Sequence, residues 1–312
     1  MIFQIKNEFV HLTEPADLSD ICCNIIANKH FIICGKIAFR EIKDAIEKNA
    51  STNQKTLFSV SFSCFSPTIQ QKKYMAVVDI DGLSSNQLKV LIEKPAHLML
   101  ENAINEWQFY ESLSSAFSTD RQFGNLFMMV KEAIENHNIV PRSQGGYTQY
   151  VPLVLQTDNN EYEHVYKYKV LIIFDRDTDS CTCFDHRQDS LFRFLCSKTA
   201  DDIEDTDVYT LSQPGFLWHC WYKRSIENYF PDRLYREKNV DIASLPSTYP
   251  DRDYFHIDGK QCPNYSKDMV KYFSEKMTKE DFNDSNIKKF RLGSGETLSE
   301  YQLLLLKMVK II

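Results

Sequence analysis

The sequence predicts an α/β fold, a mostly parallel sheet flanked by helices, with an N-terminal α+β portion and a helical C-terminal end. Three observations carry this. Short apolar runs such as "AHLML" (96–100) and "VLIIF" (170–174) have the length of buried strands. After the first of them, apolar residues recur at helical spacing: Ile104, Trp107, Tyr110, Leu113, Ala116 and Phe117. Strands alternating with such helices need crossover connections, and crossovers impose parallel pairing. Finally, both runs end on carboxylates, Glu101 and Asp175, at the strand ends where open α/β sheets gather their chemistry.

Along the chain, "FIICGKIAFREIKDAIEK" (31–48) passes from a strand into a helix. "LFSVSFSCFS" (57–66) sets Phe58, Val60, Phe62 and Cys64 against serines, which predicts a half-buried strand. "YMAVVDIDG" (74–82) predicts another. From Ala96 a strand leads to a helix over 104–117, then a second over 125–136 with Leu126, Val130, Ala133 and Ile134 inward. Residues 138–156 offer a strand, a Gly145-Gly146 turn and a short helix, and 157–164 a polar loop. The strand at 170–174 precedes a helix near 189–198 and a strand near 207–212. Pro246, Pro250 and Pro263 interrupt the stretch beyond residue 232, and "TLSEYQLLLLKMVK" predicts a closing apolar helix docked on the core. The expected divisions are 1–95, an N-terminal portion of unassigned role; 96–232, the catalytic domain; and 233–312, a mainly helical extension.

A chain of 312 residues, 43% of them hydrophobic, can build a substantial core in one large or two modest domains. Its net charge of −7 argues against a polyanion binder that works by charge alone. A nucleic-acid enzyme remains compatible, because bound metal inverts the local sign. Nine cysteines without a C-x-x-C pair, an odd number, predict reduced thiols and a cytoplasmic location rather than a zinc site. The first residues lack the apolar centre of a secretion signal, and no run approaches the roughly 20 apolar residues of a membrane span. No membrane partner is expected.

Asp175, Asp177 and Asp179 alternate in "FDRDTDS". Alternate residues of an extended chain leave on one side, so these carboxylates would repel one another unless a cation sits between them. With Glu101 on another strand end they form a cluster able to hold one or two Mg²⁺ ions. "HLMLENAINEWQFYESL", "QGGYTQ", "VLIIFDRDTDS" and "WYKRSIENYF" occur in that order. Together they resemble the TOPRIM fold (the topoisomerase–primase metal-binding domain), in the variety found in the OLD (overcoming lysogenization defect) nucleases and their stand-alone antiphage relatives. The resemblance covers residues 96–232.

That resemblance implies a metal-dependent endonuclease acting on DNA or RNA with Mg²⁺ or Mn²⁺. Glu101, Asp175, Asp177 and Asp179 would serve the metal, with Glu101 a ligand or general base. Lys223 or Arg224 would face the phosphate, Glu227 would complete the site, and Gly145-Gly146 would let backbone N–H groups approach a phosphate. It further implies a toxic effector working beside an ABC-type ATPase in antiphage defence, with room for self-association. The pattern departs from the family where Asn102 and Asn105 stand in place of the usual Gly and Asp, with Glu106 next. No "GxxxxGK[ST]" is present, so an ATPase would be a separate chain. Two alternatives stand beside the nuclease: a catalytically degenerate TOPRIM scaffold or sensor, and a DxD phosphatase or phosphotransferase. The earlier Asp79-x-Asp81 precedes Glu101, out of order for this fold, and is read as a turn. An EF-hand would want Gly at Ser180 and Glu at His186.

Overall fold

The computed structural model describes residues 1–143 and 146–312. The chain begins with β1 (Ile2–Ile5), then α1 (Asn7–Leu12), α2 (Pro15–Ala27), β2 (Phe31–Cys34) and α3 (Lys36–Asn49). It continues through α4 (Thr52–Val60), α5 (Ile69–Tyr74), β3 (Val77–Asp79) and α6 (Ser85–Glu93). The three strands pair in the order β2-β1-β3, both pairings parallel. This portion is therefore itself α/β with helical crossovers, not the α+β arrangement expected. It has its own apolar cluster, built around Phe3, Ile5, Ile25, Ile32, Ile42 and Leu91.

A second sheet comes next. β4 (Ala96–Leu100) leads through α7 (Ala103–Phe117) and α8 (Gly124–Glu135) to β5 (Ile139–Ser143). Then come α9 (Tyr147–Glu161), β6 (Val170–Phe174), α10 (Asp189–Cys196), α11 (Asp205–Val208) and β7 (Leu217–Cys220). The order is β5-β4-β6-β7, all parallel, with Leu98 opposite Leu171 and Ile172 opposite Trp218. Pro141 is tolerated because β5 is an edge strand. β4 and β6, the central pair, are buried along their whole length, as parallel strands covered on both faces must be.

The remainder is α12 (Asp232–Glu237), α13 (Asp251–Tyr254), α14 (Met269–Lys276), α15 (Lys279–Phe282), the antiparallel pair β8 (Lys289–Arg291) and β9 (Thr297–Ser299), and α16 (Glu300–Ile311). α16 is docked as expected: Leu303, Leu304, Leu305 and Leu306 are all fully buried. The same apolar cluster holds Phe273 of α14 and Phe282 of α15. Residues 233–312 thus complete the core of the second sheet instead of standing apart from it.

Two expected strands are helices. Over 57–66 the alternation of apolar residues gives way to a stronger start signal, a Ser51–Gln54 capping box in which Gln54 N–H meets Ser51 Oγ at 3.4 Å and Ser51 N–H meets Gln54 Oε1 at 2.8 Å. Phe58, Phe62 and Phe65 then fall on one side and pack as rings 5.3 Å and 5.6 Å apart, while Val60 is 74% exposed. Residues 205–208 form a single helical turn, and the strand lies later, at Leu217–Cys220. The loop expected over 157–164 is mostly helix, because α9 continues to Glu161. Asp79 and Asp81 form a turn, Asp79 Oδ1 accepting from Asp81 N–H at 3.2 Å, and both pair with Lys6.

Candidate functional site

β4 and β6 are parallel neighbours, so the residues after them leave the same edge of the sheet side by side. Glu101 follows β4 and Asp175 follows β6. Both line a cavity of about 430 Å³ together with Asn105, Glu106, Gly146, Glu227 and Lys267. Each member has a local reason to be there. Asn102 caps α7, its Oδ1 accepting from Asn105 N–H at 3.3 Å, while Glu106 Oε1 accepts from Asn102 N–H at 3.0 Å. That reciprocal cap turns α7 inward just after Glu101. Asp175 Oδ1 accepts from Ile226 N–H at 3.2 Å, which ties β6 to the 3₁₀ turn Ile226–Tyr229. Glu227, on that turn, is 5% exposed and accepts from the Tyr265 hydroxyl at 3.1 Å. α14 packs along α7, and this brings Lys267, just before α14, to the cavity.

The carboxylates lie closer together than water would allow them to ignore. Burial, then the charges of Asp177 and Glu227, push Glu101 up to about 7, with Lys267 and Arg187 opposing. Burial, then Glu101 and Glu227, push Glu106 up to about 8, against the hydrogen bond from Asn102. Asp175 is driven well above the usual carboxylate range by burial, Glu101, Glu227 and Glu106. Burial also raises Asp177, while Arg224, Arg187 and Lys267 work against the rise. Lys267 shows the other side of this field. Desolvation disfavours its charge, but Glu227, Asp175, Glu101 and Asp177 together hold its ammonium above the ordinary value.

The residues singled out in the sequence separate into two groups. Glu101, Asp175 and Glu227 share the cavity, and Asp177 lies within their electrostatic reach. Asp177 has φ 57°, a left-handed conformation that Asp tolerates, and its N–H donates to Arg224 O at 2.9 Å. Its carboxylate is 3.9 Å from the Arg187 guanidinium. Asp179 is not part of the cavity: its side chain is 91% exposed and pairs with Arg224. The turn at Asp177 breaks the extended geometry on which the alternation of three carboxylates depended. Lys223 also turns elsewhere, forming an ion pair with Asp253 at 2.8 Å and donating to Asn228 O at 3.2 Å. Gly146 lines the cavity with φ 116°, a backbone conformation that favours glycine. Gly145 lies outside the described residues.

Glu106 and Lys267 were not identified from the sequence as site residues. Glu106 carried a signal, standing four residues after the cap Asn102 at the place where a helix turns back on its first residue. Lys267 carried none, being one lysine in a polar stretch brought in by tertiary packing.

Oxygen-only donors suit a hard divalent cation such as Mg²⁺ or Mn²⁺. Glu101 Oε1 is buried with no hydrogen-bond partner. Among the described residues no group of three or more His, Cys, Asp and Glu side chains is already arranged to hold a metal ion. The nine cysteines are all free thiols, and among the described residues no helix is long and apolar enough to cross a membrane. Compared with known proteins, the chain matches no known family, no curated protein and no solved structure.

Proposed function

We propose that this protein is a metal-dependent nuclease of the TOPRIM type, cleaving phosphodiester bonds of DNA or RNA with Mg²⁺ or Mn²⁺. One observation carries the reading: Glu101 and Asp175 leave neighbouring parallel strands into one acidic cavity, and Glu101 keeps a bare, buried carboxylate oxygen there. When ionised, acids so placed destabilise the fold, and a divalent cation would relieve that cost beyond what Lys267 does. Glu101, Asp175 and Asp177 would hold the metal, which would supply charge stabilisation at a phosphoryl oxygen and a more acidic bound water.

The chain's own residues do the rest. Glu101 would serve as a metal ligand or, through its unpartnered Oε1, accept a proton from the attacking water. Lys267 presents its ammonium to the phosphate, the role that the sequence pattern suggests for Lys223 or Arg224. Glu227, fixed by Tyr265, favours the charged form of Lys267 through its own charge. Nothing in such a site reads a base, so the substrate is recognised by its backbone. On the resemblance, the nuclease acts as a toxic effector beside an ABC-type ATPase partner in antiphage defence.

The test is cleavage of labelled DNA and RNA with Mg²⁺, with and without proteins encoded beside it. The triple change Glu101→Ala, Asp175→Ala, Asp177→Ala is expected to abolish cleavage and leave the melting transition cooperative. Undiminished cleavage by the triple variant refutes the assignment. A second reading, a degenerate TOPRIM scaffold, is favoured by Lys267 serving as a built-in counter-ion and by the neutral Asn105 at the cavity wall. It predicts no rise in melting temperature with Mn²⁺ or Mg²⁺, where the nuclease predicts a clear one.

A further inference from the structure

The opposite edge of the sheets carries a second cavity, of about 390 Å³ and contrary character. Strands of both sheets begin there. Met1 precedes β1, His30 precedes β2, Asn138 precedes β5 and Lys169 precedes β6. α6, α8 and the end of α16 close the remaining sides, with Phe31, Ile92 and Met129 providing apolar wall.

Lys169 is the unusual member. It is 3% exposed, it lines the cavity, and among the described residues its ammonium has neither an ion-pair nor a hydrogen-bond partner. Burial alone lowers it to about 7. Its charge in turn helps depress both His30 and the Met1 amino group. Those two nitrogens have partners, Met1 donating to Ile312 O and lying 3.3 Å from His30 Nδ1, with His30 Nε2 3.3 Å from Ile92 O, so of the three Lys169 alone is left without one. The other charges at the rim are engaged or turned outward. Lys29 pairs with Glu132 at 3.4 Å, Lys94 lies over the Tyr162 ring at 5.3 Å, and Glu93 is exposed.

A buried lysine held for structure is wired differently in this same protein. Lys307, fully buried, donates to Val208 O at 2.6 Å and Trp218 O at 2.5 Å. Lys169 has no such acceptors and faces open volume instead. An unpaired buried ammonium is destabilising, and an anion in the cavity would remove the penalty.

We propose that this cavity binds a small organic anion, a carboxylate or phosphate monoester head carried on an apolar body, with the head on Lys169 and the body against Phe31, Ile92 and Met129. The volume is that of a small-molecule site. The ligand would bridge the two sheets. It would also lie at the far end of β6 from Asp175, about 20 Å away at roughly 3.3 Å per strand residue. It is therefore not a substrate of the acidic site.

The experiment measures melting temperature and calorimetric binding of the full chain with octanoate and octyl phosphate at millimolar concentration. 1-Octanol supplies the body without the charge, and acetate and inorganic phosphate the head without the body. Octanoate or octyl phosphate should bind and raise the melting temperature, the stronger of the two identifying the head group, while octanol and the bare anions bind at least tenfold more weakly. Lys169→Met should retain the native circular dichroism and lose at least tenfold in affinity. Since that variant could alter the cavity, the Lys169 amine of the wild-type protein is followed as well, by NMR of its isotope-labelled side chain. Its signal should move on addition of the bound anion and its titration should shift to higher pH. The proposal is overturned if neither amphiphile binds, if octanol or a bare anion binds equally well, if Lys169→Met keeps full affinity, or if the Lys169 signal stays fixed while the anion binds.

Discussion

Replacing Glu101 with glutamine is expected to stabilise the metal-free protein at high pH and to leave it unchanged at low pH. The magnitude comes from the cavity. Raising this carboxyl from its ordinary 4.5 to about 7 corresponds to about 3 kcal/mol, at about 1.4 kcal/mol for each factor of ten in proton affinity. Because Glu101 keeps part of its surface open to the cavity, that figure is a ceiling. The sign is fixed by where the proton sits. Below 4.5 the side chain is protonated whether folded or unfolded. Between 4.5 and 7 only the folded chain holds the proton, so stability falls as the pH rises, and above 7 the loss is complete. Glutamine, never charged, escapes it. Urea denaturation of wild type and Glu101→Gln in chelator should therefore show equal stability in acid and a gap of ~2–3 kcal/mol well above neutrality, the variant ahead. Adding Mg²⁺ at about a thousandfold its Kd should reverse the order, since such a ligand stabilises the wild type by about 4.1 kcal/mol. Equal stability of the two proteins at high pH, or a gap that opens only in acid, would refute the reasoning.

Three further outcomes are expected. Lys267→Met should lower the stability of the metal-free protein at neutral pH by removing the cation that faces four carboxylates, and should cut cleavage at least tenfold at saturating Mg²⁺; a variant as active as wild type removes Lys267 from the site. Glu300, fully buried, accepts from Tyr222 N–H at 2.7 Å, the Tyr229 hydroxyl at 2.6 Å and His219 Nε2 at 3.2 Å, so Glu300→Ala should cost about 3–5 kcal/mol in denaturant titration, and a loss under 1 kcal/mol would contradict that wiring. Burial holds Lys307 well below the ordinary lysine value of 10.5, so the unfolded chain binds the extra proton; wild type should gain on Lys307→Met as pH climbs from neutrality toward that value, as read by thermal melts across the range.

Where the sequence was legible, one local pattern matched one local structure. β4, β6 and α7 were readable because burial on both faces leaves an uninterrupted apolar run, and because α7 repeats its apolar face for four turns. With two parallel strands side by side, the convergence of Glu101 and Asp175 is a consequence of topology. The failures have a common cause, competition between signals. At 57–66 a period of two was present in the letters, but the Ser51–Gln54 cap and the Phe58–Phe62–Phe65 spacing of a helical face prevailed. Asp179 was lost to the site because Asp177 adopts a left-handed turn that no residue pattern announces. Lys223 and Lys267 exchanged expected places for a reason only packing supplies: Asp253 captures the first, and α14 lying along α7 delivers the second.

The buried charges of this protein fall into two classes, and the division bears on both cavities. Arg176, with 0% exposure, donates to Cys183 O and Tyr222 O at 3.2 Å and lies 4.1 Å from the Phe184 ring centroid; Glu300 and Lys307 are wired as fully. A charge kept for architecture needs such partners, because desolvation without them outweighs what its packing returns. Glu101 Oε1 and the Lys169 ammonium break the rule at opposite ends of adjacent central strands, each facing a cavity. The first lies among carboxylates and the second is an ammonium without a partner, so the two openings favour ligands of opposite sign. Were either group merely tolerated by the fold, its neutral isostere would stabilise the protein wherever the group is charged, with or without added ligand. If instead each awaits a ligand, the isostere gains only while that ligand is absent, and the sign of the stability difference must invert when the matching cation or anion is added.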